Sequence, residues 1–165
     1  MNSLSRPINS LLEQRNKYDH DVRLYCEILS FLPFFEDACE DDYIIYHNDH
    51  SFEYTPQFYS FIKTLFDSKL VEDVDDMTNF LLQYDSPTAF KLWIKDMNSV
   101  LSNNTVFETV NICFIKKAFF TMIKLEKIMP GSWGIDVETG NWLKLLRRLH
   151  NILPEIYKCE KSTLN

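Results

Sequence analysis

Apolar residues recur at three- and four-residue spacing along most of this chain, the rhythm of helices that bury one face. Pro7 suits the first position of a helix continuing through Leu11, Leu12 and Arg15. Val22, Tyr25, Leu29 and Leu32 predict a second helix over 21–32, which Pro33 is expected to end. Thr55-Pro56 reads as an N-cap and first helical residue, followed by a stripe of Phe58, Phe61, Ile62, Leu65 and Phe66. Ser86-Pro87 repeats that signal ahead of Phe90, Trp93, Ile94, Met97 and Leu101. Between the two, residues 75–84 are expected to form a short helix carrying Met77, Phe80 and Leu81.

Thr105-Val106-Phe107-Glu108 has the form of a capping box, predicting a helix to about Met129. That helix is apolar over most of its circumference (Val110, Ile112, Phe114, Ile115, Phe119, Met122, Ile123), which places it at the centre of a helical domain. A last pattern runs over 141–153. Two short runs, 43–46 and 51–54, are compatible with a small β-hairpin turning at Asn48-Asp49. All three glycines, Gly131, Gly134 and Gly140, fall within ten positions and mark a tightly constrained turn between helices. The expected fold is therefore mainly α: a single compact domain of six or seven helices spanning 1–165, with 1–20 and 155–165 as peripheral or partly disordered segments.

Charge changes the picture more than composition does. The net charge is −7, yet residues 36–85 hold thirteen acids against Lys63 and Lys69, while residues 86–165 are net basic. An acidic band repels phosphate backbones and attracts basic surfaces. It argues against direct nucleic-acid binding through residues 36–85 and for a protein partner with a basic surface. Asp41, Asp42, Asp73, Asp75 and Asp76 are the candidate contacts, unless the band serves only solubility. No apolar run approaches the length that spans a bilayer, so no membrane partner is expected. No secretory leader is apparent, and Cys26, Cys39, Cys113 and Cys159 are widely spaced without a CxxC pair, as in a cytoplasmic protein with reduced thiols.

The sequence carries no recognisable catalytic set, metal site or cofactor motif. His47-Asn48-Asp49-His50 comes nearest to a metal site, but the segment does not read as a helix and has no second ligand pair nearby. Gly131-Ser132-Trp133-Gly134 lacks the Lys-Ser/Thr of a phosphate loop and follows a helix, so it reads as helix capping. Asp136 and Glu138 read as complements to a helix dipole rather than as an acid–base pair. Trp133 and Trp142 are close enough in sequence to pack together, and Trp133 beside the turn also suits an interface anchor. Lys144, Arg147 and Arg148 give the last helix a basic edge.

Three blocks resemble a family of small, mostly helical bacterial and phage proteins known only as a domain of unknown function. They are Ile28-Leu29-Ser30-Phe31-Leu32-Pro33-Phe34-Phe35-Glu36, then Phe52-Glu53-Tyr54-Thr55-Pro56 leading into Phe61-Ile62 and Leu65-Phe66, and then Lys124 through Gly131 and Gly140 to Leu149. The resemblance spans about Val22 to Leu153, supports a helical fold and implies no activity. Where that family shows Arg-x-x-Arg-Phe-x-x-Gly, this chain has Lys124, Lys127, Ile128 and Gly131, so charge is kept while guanidinium and aromatic are lost.

Two functional expectations follow. The first is a non-enzymatic acidic protein-binding module acting as an inhibitor or regulator, for example a phage-type antagonist of a CRISPR or other host nucleic-acid-handling complex, in the cytoplasm of a bacterium or host. The second is a small anionic-ligand-binding or enzymatic domain with its pocket beside the Gly131–Gly140 turn, where Lys124, Lys127, Arg147 and Arg148 would converge.

Overall fold

The structure, a computed structural model, describes residues 23, 25–72 and 87–162 and is mainly helical. The helices expected from Pro7 and over 75–84 lie outside the described residues. Residues 25–29 are helical, and a turn at Ser30-Phe31 leads into α1 (Leu32–Asp37). Pro33, expected to stop a helix, instead stands in the first turn of the next one. Its missing N–H is not needed there, because first-turn donors have no intrahelical acceptor. The four-residue α2 (Glu40–Tyr43) follows, with the Asp42 carboxylate accepting from the Cys39 amide at 2.7 Å.

The hairpin is present. β1 (Ile44–Tyr46) pairs antiparallel with β2 (Phe52–Tyr54) in the register Ile44–Tyr54, Ile45–Glu53, Tyr46–Phe52. Period-two alternation sends Ile44 and Tyr54 inward and leaves Ile45 and Glu53 exposed. Next come α3 (Pro56–Asp67) and the short α4 (Lys69–Glu72). The start of α3 is as the sequence indicates: Thr55 Oγ1 accepts from the Phe58 amide at 3.3 Å.

After α5 (Pro87–Ser102) the chain departs from expectation. In place of one helix from Thr105 there are two, α6 (Asn104–Phe107) and α7 (Ile112–Ile128). Each is capped by an asparagine: Asn103 Oδ1 accepts from the Val106 amide at 3.2 Å and Asn111 Oδ1 from the Phe114 amide at 3.1 Å. Asparagine satisfies free first-turn donors as well as threonine does. The two asparagine caps replace the expected capping box. Two helices complete the described residues, α8 (Ser132–Glu138) and α9 (Asn141–Ser162). The latter passes through Pro154 rather than ending at Leu153; the carbonyl that loses its donor belongs to exposed His150.

The core runs through all of these elements. In α7, Ile115, Ala118, Phe119, Phe120, Thr121, Met122 and Ile123 are all buried, so this helix is covered on most sides. Trp142 is the largest fully buried side chain and packs against the rings of Phe35, Phe58, Phe61 and Phe119. Its indole N–H donates to the Trp133 carbonyl at 3.0 Å, which ties α9 to α8. Such a ring carries several kcal/mol of burial, and about 3–5 kcal/mol is the usual loss when one is cut to alanine.

Candidate functional site

The glycine turn organises the surface that carries the clefts. Gly131 adopts φ 95°, a left-handed conformation open mainly to glycine, and ends the connection from α7 to α8. The first turn of α8 has no cap from its own N-cap residue; Glu126 supplies one instead. Its carboxylate accepts from the Gly131 amide at 2.8 Å, the Trp133 amide at 2.9 Å, Ser132 Oγ at 3.2 Å and Tyr54 Oη at 3.0 Å. One acid thus joins α7, the turn, α8 and the hairpin. Burial, then the bond and negative charge of Glu126, raise the Tyr54 phenol above its ordinary range. Gly140 closes α8 at φ 73° and starts α9.

Two clefts flank this scaffold. The larger, about 530 Å3, lies between α5 (Met97, Asn98, Leu101), Leu125 of α7, α8 (Ser132, Ile135, Asp136) and α9 (Asn141, Lys144). Unlike the pocket expected beside the glycine turn, it is lined by none of Lys124, Lys127, Arg147 and Arg148; its ionisable lining groups are Asp136 and Lys144. Asn141 Nδ2 donates to Asp136 Oδ1 at 2.8 Å. Burial pushes the Asp136 carboxyl up to about 6, with the charge of Glu126 adding to the rise and the Asn141 bond opposing it. Glu138 has a different partner: it accepts from Tyr43 Oη at 3.3 Å. Burial first, and then Glu138, push the Tyr43 phenol up to about 12.

The second cleft, about 410 Å3, lies between α9 and the end of α6, lined by Phe107, Glu108, Gly140, Leu143, Lys144, Arg147, Arg148 and Asn151. Lys144 Nζ lies 5.4 Å over the Phe107 ring and donates to the Leu101 carbonyl. Arg148 Nε donates to the Val110 carbonyl at 3.0 Å, and Arg147 pairs with Glu36 at 3.2 Å. Arg147 and Arg148 therefore share one cleft. Lys124 and Lys127 do not line it: Lys124 lies 5.3 Å over the Phe120 ring, and Lys127 is exposed in the last turn of α7, where a cation suits the helix dipole.

The acidic candidates divide. Asp41 and Asp42 are exposed on α2; Asp73, Asp75 and Asp76 lie outside the described residues. Trp133 is half-buried, its indole N–H bonded to the Met122 carbonyl at 3.1 Å and its ring 5.3 Å from that of Tyr54. That position makes it a link between α8 and the core. At the hairpin turn, His47 lies 3.5 Å from Glu53, and Asp49 accepts from the Ser51 hydroxyl and amide, which holds its carboxyl below the usual range. Among the described residues no three His, Cys, Asp or Glu side chains stand together where a metal ion could be held. Sequence reasoning missed Glu126, whose donors include a tyrosine 72 positions away.

No helix among the described residues is long and apolar enough to cross a membrane. Comparison with known proteins finds no matching family model, no matching curated protein and no matching solved structure. The family resemblance thus rests on its sequence blocks alone, and the function is argued from the surface and clefts.

Proposed function

We propose that the protein is a non-enzymatic binding module that engages the basic surface of a protein partner through α2 and the hairpin. One observation carries the reading. Residues 36–54 include seven acids and no lysine or arginine, and all seven acids are exposed. Exposed Ile45 and Tyr46 stand among them. The charges supply long-range attraction and orientation, while a tyrosine and an aliphatic side chain supply the contact area that short-range affinity needs. Its interaction with Glu40 raises the Tyr46 phenol above its ordinary range.

An inhibitor or regulator of a nucleic-acid-handling complex, a phage-type CRISPR antagonist among them, is the biological form this reading takes. A partner that normally grips phosphate offers the complementary basic surface. The test is capture of tagged protein from its native host at low and high salt, with wild type beside a variant carrying Asn at 41, 42, 73, 75 and 76. The expected result is a basic partner held at low salt, shed at high salt and lost in the variant. Equal retention of the same partner by the variant would remove the acidic surface from the account.

A further inference from the structure

We propose that the cleft between α9 and the end of α6 binds a small organic anion, its phosphate or carboxylate head held by Arg148, Lys144 and Arg147. Its apolar body would rest on Leu143 and Phe107. The site does not depend on a partner for the acidic hairpin face, which it meets only through the Arg147–Glu36 pair.

Positive charge is concentrated on one helix. Lys144 and Arg148 are four residues apart on α9, with Arg147 beside them, so three cations crowd one turn and repel each other. Only Arg147 has a carboxylate partner among the described residues, the exposed Glu36. Lys144 and Arg148 donate instead to the main-chain carbonyls of Leu101 and Val110. A carbonyl accepts a hydrogen bond and neutralises nothing, so two positive charges face the cleft with Glu108 as its sole acidic lining residue among those described. An oxyanion entering there removes the repulsion that the fold tolerates.

Geometry points the same way. Arg148 is half-buried, and its bond from Nε to Val110 fixes the guanidinium plane. Among the described residues neither Nη nitrogen has a partner, which leaves both for a planar, two-point grip on phosphate or carboxylate, the interaction arginine makes and lysine cannot. The Phe107 ring lies 5.4 Å under the Lys144 ammonium and holds it beside the cleft. A volume of about 410 Å3 suits a small molecule with an apolar part.

The test uses the full chain and three probes: phenyl phosphate, benzoate and uncharged benzyl alcohol, followed by calorimetry and by thermal shift. Sodium chloride of matched ionic strength is the control. Phenyl phosphate or benzoate is expected to bind and raise the melting temperature beyond the chloride control. The tighter of the two identifies the head group as phosphate or carboxylate. Arg148→Lys keeps the charge and loses the fork, and is expected to weaken binding about tenfold or more. Arg147→Glu changes an exposed residue, so folding is retained; it puts a carboxylate at the mouth and is expected to weaken binding severalfold. Anion binding no better than chloride, benzyl alcohol binding as tightly as the anions, or unchanged affinity in Arg147→Glu would each overturn the proposal.

Discussion

The cavity beside α5 and the cleft beside α6 meet at Lys144, yet they hold charge in opposite ways. In the cavity, the Asp136 carboxylate is partly buried against a neutral amide, and the proton itself becomes its best partner, at a pKa of about 6. In the cleft, Arg147 and Arg148 meet only one exposed carboxylate and a main-chain carbonyl among the described residues. A carboxylate in poor surroundings can neutralise itself; a guanidinium waits for a counter-ion. The difference explains why the basic cleft, rather than the larger cavity, is the better case for an anionic ligand. Glu126 shows the third outcome, a carboxylate so well supplied with donors that its role is architectural.

Breaking the shared scaffold should have the largest effect. Glu126→Ala leaves the Gly131 and Trp133 amides without their acceptor and unties the hairpin from α7. A loss of about 3 kcal/mol or more in urea unfolding is expected. A loss below about 1 kcal/mol would show that water replaces the carboxylate and that the turn does not set the clefts.

Asp136 sharpens the contrast through pH. Its folded pKa is raised from 3.8 to about 6, so the folded chain holds this proton more tightly than the unfolded chain. The stabilisation is complete below about 3.8 and is lost as pH rises through about 6. Discounted for partial exposure, the loss should be about 1–2 kcal/mol. Asp136→Asn should remove that slope, seen as a gain in stability over wild type at pH 7.5 relative to pH 4. Parallel pH profiles for the two proteins would contradict the assignment.

Smaller effects lie at the edges of the basic cleft. Gly140 has φ 73° and open space where a Cβ would project, so Gly140→Ala meets backbone strain without a clash. About 1 kcal/mol of destabilisation is expected by thermal melting. Smallest of all is the exposed Arg147–Glu36 pair, whose removal by Glu36→Gln should change stability by no more than about 0.5 kcal/mol. The same change should strengthen anion binding, since it frees Arg147; weaker binding would place Glu36 among the supports of the cleft.

Much of the fold is legible in the sequence because its signals are local. Thr55-Pro56 caps α3, α5 starts at Pro87, the hairpin occupies the two alternating runs, and Gly131 and Gly140 take the left-handed conformations that clustered glycines suggest. The break between α6 and α7 is not, because Asn103, Thr105 and Asn111 are all competent caps and tertiary packing chooses among them. Pro33 misleads for a related reason: proline ends one helix and begins another equally well. The basic edge of α9 can be seen in the sequence, but its separation from Lys124 and Lys127 cannot. Glu126 is illegible, since nothing local relates it to Tyr54.

The most direct test of the two-cleft account is a titration with phenyl phosphate followed by amide chemical shifts. Perturbations confined to Phe107, Glu108, Gly140, Leu143, Lys144, Arg147, Arg148 and Asn151, with Asp136 and Ile135 unmoved, are the expected result. Perturbations centred on Asp136 and Ile135, or scattered over the surface, would contradict it.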